Sequence, residues 1–305
     1  MMRLLYFLLL IIPFVKISFA EPEQPSQASE DARLSWQYHV CPDDPQSIPA
    51  PIMDANMGHY ARFLEEKGGD PLKIDDFDSK HSNRVVVDMI LLQQALKLGG
   101  ANVQLNFYGS PNPSRAELDV KQGVSPILGY ETWNSNFDDT VYMSDCVIGK
   151  GEFLKVVVGR QDNGKGLMKA KSLADLQQLT AVTGHRWSID IMTLREMGIK
   201  EVATAPKYSL QISMLQERRA DFGLYEYTNI INDMPAGFAV VPGLTVGLNE
   251  SRHFMVSKSH PAGRFLFEAL QRGIKILKSH EVFKKAYREC GFTSSELESW
   301  HKIFP

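Results

Sequence analysis

Cysteine is scarce, with 3 in 305 residues, and none of the three lies in a close pair such as CxxC. That spacing excludes a zinc-ribbon type of metal site. A basic excess is also missing, since 33 Lys and Arg face 36 Asp and Glu. The chain therefore lacks the charge with which nucleic-acid binders neutralise phosphates, and no nucleic-acid partner is expected. No apolar run is long enough to span a bilayer: the longest, residues 4–15, has about 12 residues where roughly 20 are needed. Catalytic signatures are absent too. There is no HExxH and no GxSxG. Asn163-Gly164-Lys165-Gly166 lacks the Walker spacing and reads as a surface turn. The adjacent carboxylates Asp43-Asp44 and Asp138-Asp139 would point to opposite faces of a strand, so neither is a natural acid/base pair. No metal and no cofactor are expected.

What is present is a composition of 44% hydrophobic and 23% charged residues, which is that of a globular protein. At this length two lobes are more natural than a single core. Residues 1–20 read as a secretory signal: Arg3, the apolar run, and then Ser18-Phe19-Ala20 before a cleavage point after Ala20. The expected product is exported to the periplasm. Export permits one disulfide among Cys41, Cys146 and Cys290, in any of three pairings, although buried structural thiols are the simpler expectation. Residues 21–70 read as a polar leader followed by an N-terminal extension. In it, 34–40 suits a strand, 41–51 is rich in proline and turn residues, and 57–66 suits a short helix.

From residue 72 strands and helices alternate. Strands are expected at 72–77, 103–107 and 126–130, with a helix from a Ser82 or Asn83 cap to Leu98 and a second, capped by Ser114, at 115–122. Two strand pieces fall in 141–160. A second set follows, with helices at 172–176, 188–197 and 209–217 and strands at 180–183, 202–204 and 222–225. A strand at 252–257 and two helices within 263–290 close the chain. This is an α/β pattern of open, mainly parallel sheets with flanking helices.

Several phrases in this order resemble one family. They are residues 115–123; Gly151-Glu152-Phe153 with Val156-Val157-Val158; Ser172-Leu173-Ala174-Asp175-Leu176 with 182–187; Met214-Leu215 with Arg219-Ala220-Asp221; and Pro242-Gly243-Leu244 with 254–258. Over about 72–292 the chain is similar to the extracytoplasmic solute-binding proteins of the type II periplasmic-binding fold, near the family 3 group that includes amino-acid binders. The resemblance implies two lobes joined by a two-segment hinge: 71–150 plus 249–305 as lobe one, and 151–248 as lobe two. It also implies a non-catalytic monomer that traps a small polar ligand between the lobes and passes it to an ABC transporter permease, or less often to a sensor kinase ectodomain. Some relatives on this fold are dehydratases, so a periplasmic enzyme remains an alternative, as does a sensory or interaction protein with a degenerate cleft.

The resemblance places Glu226, five residues after Asp221, where the amino-acid binders hold an acid for the ligand's amino group. Tyr225 and Tyr227 flank it. Trp187, Arg186 and Ser188 lie at a strand-to-helix junction, where a helix N-terminus and a cation are placed to meet an anionic group. Tyr130 and Trp133 are expected as walls from lobe one. The family's carboxylate-clamping Arg falls on Phe137 in this chain, and no Arg or Lys lies between Gln122 and Gly149. That gap shifts the expected ligand from a zwitterion towards a cation or neutral polar molecule, unless Lys150 or a remote Arg substitutes.

Overall fold

The computed structural model describes residues 46–232 and 234–305. The expected signal segment, the leader, the strand at 34–40 and Cys41 lie outside the described residues.

The chain opens on β1 (Gln46–Met53), which pairs in parallel with β2 (Val103–Ser110) from Gln46 opposite Val103 to Met53 opposite Ser110. For residues 46–51 this corrects the expectation of a proline-rich turn at 41–51; residues 41–45 lie outside the described residues. Ile48, Ala50 and Ile52 are fully buried at alternate positions, the period of a strand. Pro49 and Pro51 fall between them on the other face. Proline has no N–H to give a ladder. Accordingly β3 (Ile127–Trp133) runs beside β1 but belongs to a separate hydrogen-bonded group, β3-β10-β4, with β10 (Arg252–Ser257) antiparallel to both β3 and β4 (Val141–Met143).

Helix α1 (Asp54–Glu66) follows β1 directly. Residues 72–77, expected as a strand, instead form a single 3-10 turn and extended coil that packs Ile74 and Phe77 into the core. Helix α2 (Arg84–Leu98) is capped by Asn83, whose side chain accepts from Val86 N at 3.0 Å. Helix α3 (Pro113–Lys121) is capped by Asn112, with Pro113 in its first turn, rather than by Ser114. Helices α2 and α8 (Gly263–Ser279) pack together over one face of these strands, around Leu91, Leu92, Leu266 and Leu270. The opposite face is covered around Met89, Ala116, Leu128 and Tyr130.

The second lobe is a six-stranded sheet. Its members are β5 (Leu154–Arg160), β6 (Thr180–Gly184), β7 (Glu201–Ala205), β8 (Phe222–Tyr225), β9 (Phe238–Gly247) and β11 (His301–Lys302), in the order β11-β9-β5-β8-β6-β7. Helices α4 (Leu173–Gln177), α5 (Ser188–Glu196), α6 (Tyr208–Gln216) and α7 (Tyr227–Asn232) connect or follow its strands. Two apolar clusters fill its faces, one around Leu176, Leu194 and Phe222 and one around Val158, Ile212 and Leu215.

Two segments cross between the lobes side by side, tied by Gly151 N to Leu248 O (2.9 Å) and Leu248 N to Phe153 O (2.9 Å). Here Gly247 lies so close to Gly151 that a Cβ would stand 2.5 Å from the Gly151 carbonyl oxygen. The chain crosses a third time. After α9 (Val282–Glu289) and α10 (Ser295–Ser299), β11 pairs with β9. His301 and Lys302, placed with lobe one by the sequence expectation, therefore belong to the second sheet. Among the described residues Cys146 and Cys290 form no disulfide, and burial pushes the Cys290 thiol up to about 12.

Candidate functional site in the interlobe cleft

A cavity of about 470 Å³ lies where the two lobes face each other. Its first-lobe wall carries Arg84, Trp133 and Arg252, and its second-lobe wall carries Lys155, Trp187, Asp190, Tyr208, Tyr225, Glu226 and Asn229. Phe153 and Leu248, from the crossings, line it too. Most of these residues sit where the fold predicts a ligand: Trp133 ends β3, Trp187 follows β6, and Glu226 follows β8, each at the carboxyl end of its strand.

Four of the seven expected site residues line this cavity: Glu226, Tyr225, Trp187 and Trp133. Tyr130 does not. Side chains alternate along β3, so Tyr130 and Leu128 join the cluster on one face, while Glu131 and Trp133 share the other. A strand that gives Trp133 to the cleft therefore places Glu131 on the same side, buried behind the lining. Arg186 and Ser188 are exposed and outside the cavity lining. Ser188 does not cap α5; it is the first helical residue after Trp187. The helix N-terminus expected to meet an anionic ligand group holds the chain's own Asp190 in its first turn. Trp187 lies flat against Gly184, where a Cβ would come within 2.8 Å of the indole.

The clamp slot at Phe137 holds no cation, and of the substitutes left open by the sequence it is remote arginines that line the cavity. Phe137 packs beside His253 with ring centroids 6.0 Å apart and is not part of the cleft. The cations come instead from the first residue of α2 and the first residue of β10. Arg84 and Arg252 both bind Glu131, which is fully buried. Arg252 donates through Nη2 to Glu131 Oε2 and to its backbone carbonyl, each at 2.9 Å. Arg84 Nη1 bonds Glu131 Oε1 and reaches Asp88 Oδ2 at 3.4 Å. Aromatic faces hold both guanidiniums: Arg252 lies 4.1 Å from the Trp133 ring centroid and Arg84 5.3 Å from that of Phe153. Among the described residues, Arg84 Nη2 and Arg252 Nη1 make no hydrogen bond. Burial alone would lower the Arg84 pKa, but Glu131, Glu226 and Asp88 outweigh it and raise it. Burial pushes the Asp88 carboxyl well up, and Glu131 adds to this while Arg84 opposes it. Asp88 accepts from the Tyr287 hydroxyl at 2.8 Å.

On the second lobe Lys155 and Asp190 are both buried and paired with each other. The Lys155 ammonium lies 4.7 Å from the Trp187 ring centroid. Burial raises the Asp190 pKa against the pull of Lys155. Glu226 differs from them: among the described residues its carboxylate has no hydrogen-bond or ion-pair partner, although Arg84 feels its charge. Tyr225 packs edge-on to Tyr208 at 5.7 Å, and its buried hydroxyl has no partner among the described residues.

The cleft thus offers hydrogen-bonding guanidinium ends on one wall, an unpaired carboxylate on the other, and aromatic rings around both. Among the described residues no group of three His, Cys, Asp or Glu side chains is arranged to hold a metal.

No protein-family model matches the sequence, and a search of curated proteins finds no match. Solved structures do match. The probable amino-acid ABC transporter extracellular-binding protein of Bacillus subtilis is 12% identical, with TM-score 0.55, over 81% of this chain and 97% of that one. The BvgS periplasmic VFT2 domain of Bordetella pertussis is 14% identical, with TM-score 0.53, over 86% of this chain and 97% of that one. An ancestral arginine-binding protein bound to glutamine is 16% identical, with TM-score 0.50, over 82% of this chain and all of that one. At such identities the likeness is one of fold, and the fold of this chain is the two-lobed, type II periplasmic-binding architecture.

Proposed function

We propose that the protein is an exported, non-catalytic solute-binding protein that closes on a small amino-acid-like zwitterion. One observation carries this reading: the free guanidinium ends of Arg84 and Arg252 face the unpaired carboxylate of Glu226 across a cavity lined by both lobes. The arginines are matched to a ligand carboxylate, which they meet through planar, charge-assisted bonds. Glu226 is matched to an ammonium, and the rings of Trp133, Trp187 and Tyr225 to the apolar part between. This replaces the cation or neutral molecule expected from the missing clamp.

Such a ligand touches both lobes only when they are together, so its affinity for the closed form exceeds that for the open one and its binding shifts the population. The side-by-side crossings at Gly151 and Gly247 are the proposed hinge, a few residues absorbing the change. In the dehydratase alternative, Glu226 would be the acid or base. The binding reading is favoured by the Lys155–Asp190 pair, which is closed on itself and leaves no second unpaired carboxylate beside Glu226 among the described residues of that wall. An ABC importer is the proposed receiver. No helix among the described residues is long and apolar enough to cross a membrane.

Thermal-shift measurement against the twenty amino acids, with product analysis of every hit, tests the reading. A raised melting temperature without turnover supports it. Turnover of a hit supports the enzyme, and no shift with any amino acid contradicts the proposal.

A further inference from the structure

The cleft has a second compartment of about 420 Å³, and three residues line both: Arg84, Glu226 and Asn229. The two compartments therefore adjoin, with their elbow at the groups assigned above to the ligand's head. The second compartment differs in character from the first. Polar side chains dominate it: Asn56, Lys80, Ser82, Asn83 and Thr228. Asn56 lies in the first turn of α1, directly beyond the carboxyl end of β1, and so belongs to the same strand-end locus as the rest of the site.

Two of these groups point to a ligand. Lys80 has no ion-pair or hydrogen-bond partner among the described residues, and Glu226 at the elbow is the one acidic residue in this lining. The Ser82 hydroxyl oxygen is shielded from solvent and has no hydrogen-bond partner among the described residues, a state that costs free energy unless something completes it. Either compartment alone falls within the roughly 300–1,000 Å³ that encloses a drug-sized molecule. A lone amino acid head at the elbow would leave the second one to water.

We propose that the ligand has two parts: an amino-acid head held by Arg84, Arg252 and Glu226, and a polar arm that carries a terminal carboxylate to Lys80 past Asn83 and Thr228. This rests on the zwitterion reading above and adds the ligand's length and second charge. The chemical class is an amino acid whose side chain is extended through an amide to a second anionic end, as in γ-glutamyl dipeptides.

The test compares two probes with the same head, L-glutamine and γ-L-glutamylglycine, by calorimetry on the wild-type protein and on Lys80→Met and Lys80→Arg. Lys80 is exposed, so neither substitution endangers the fold. The expected result is that wild type binds γ-L-glutamylglycine at least about tenfold more tightly than L-glutamine. Lys80→Met brings that ratio close to one, and Lys80→Arg retains most of it. A ratio near one in the wild type, with L-glutamine bound, overturns the arm and leaves the zwitterion reading standing. So does a ratio that survives Lys80→Met. Binding of neither probe counts against both the arm and the head assignment on which it rests.

Discussion

On the first-lobe wall two arginines share one buried carboxylate, Glu131, whereas on the second-lobe wall Lys155 and Asp190 pair with each other and Glu226 is left over. The first arrangement leaves guanidinium N–H groups over, because Glu131 and Asp88, the latter 3.4 Å from Arg84, do not engage every N–H of two guanidiniums. The second has a surplus acid. Among the described residues each wall therefore holds unused capacity, N–H donors on the first and a carboxylate on the second, and both line the same cavity. Under the proposed function, this difference locates the work of binding between the lobes rather than within either, and makes closure depend on a ligand that carries both charges.

The largest expected effect breaks the comparison on the first wall. Glu131→Gln leaves two buried guanidiniums without their shared anion and should cost about 3–5 kcal/mol of stability. Asp190→Asn leaves a single ammonium against Trp187, with an amide oxygen still in place to accept from it, and should cost about 1–3 kcal/mol. Urea unfolding of the two variants checks the ordering. A larger loss for Asp190→Asn would show that the second wall, not the first, carries the concentrated charge.

A smaller effect concerns pH. His253, beside the first-lobe network on β10, has Nδ1 at 2.7 Å from the Ser144 carbonyl oxygen and Nε2 at 2.8 Å from Ser251 Oγ. The carbonyl only accepts, so Nδ1 carries the proton and Nε2 accepts from the serine. Burial lowers the His253 pKa, partly offset by the Ser144 bond. A base whose folded pKa is depressed contributes stability above its unfolded value, near 6.5, and loses it as pH falls through the folded value. Stability should therefore decline on acidification below about pH 6.5, and His253→Gln should flatten that decline. An unchanged slope in a folded His253→Gln protein would assign the acid sensitivity elsewhere. Asp88 and Asp190 act with the opposite sign, since their raised pKa values favour the fold at low pH.

The same comparison marks how far the sequence could be read. The second wall was the legible one. Glu226 and Tyr225 come from one short strand end after Arg219-Ala220-Asp221, and the resemblance to the amino-acid binders marks that position. The first wall was not, because its cations come from distant elements. Arg84 reads as an ordinary helix-start residue and Arg252 as a strand residue, and only packing brings both onto Glu131. One signal was available: alternation along β3 pairs Trp133 with Glu131, and a buried acid calls for cations nearby. β1 was hidden for a different reason. Pro49 and Pro51 argue for a turn, and they override the alternation of Ile48, Ala50 and Ile52 unless each proline is recognised as sitting where no ladder bond is made. Helix α7 and the third crossing at β11 are short, and neither carries enough period to be read.

The central claim is that Glu226 is the surplus acid that a ligand's ammonium completes. Calorimetric titration of wild-type and Glu226→Gln protein, with the amino acid that gives the largest thermal shift, tests it most directly. Glu226→Gln keeps the size of the side chain and removes its charge, and should cost on the order of 2–5 kcal/mol of binding, a loss of about 30-fold or more, with melting of the unliganded protein little changed. Equal affinity in a folded Glu226→Gln protein would contradict the account.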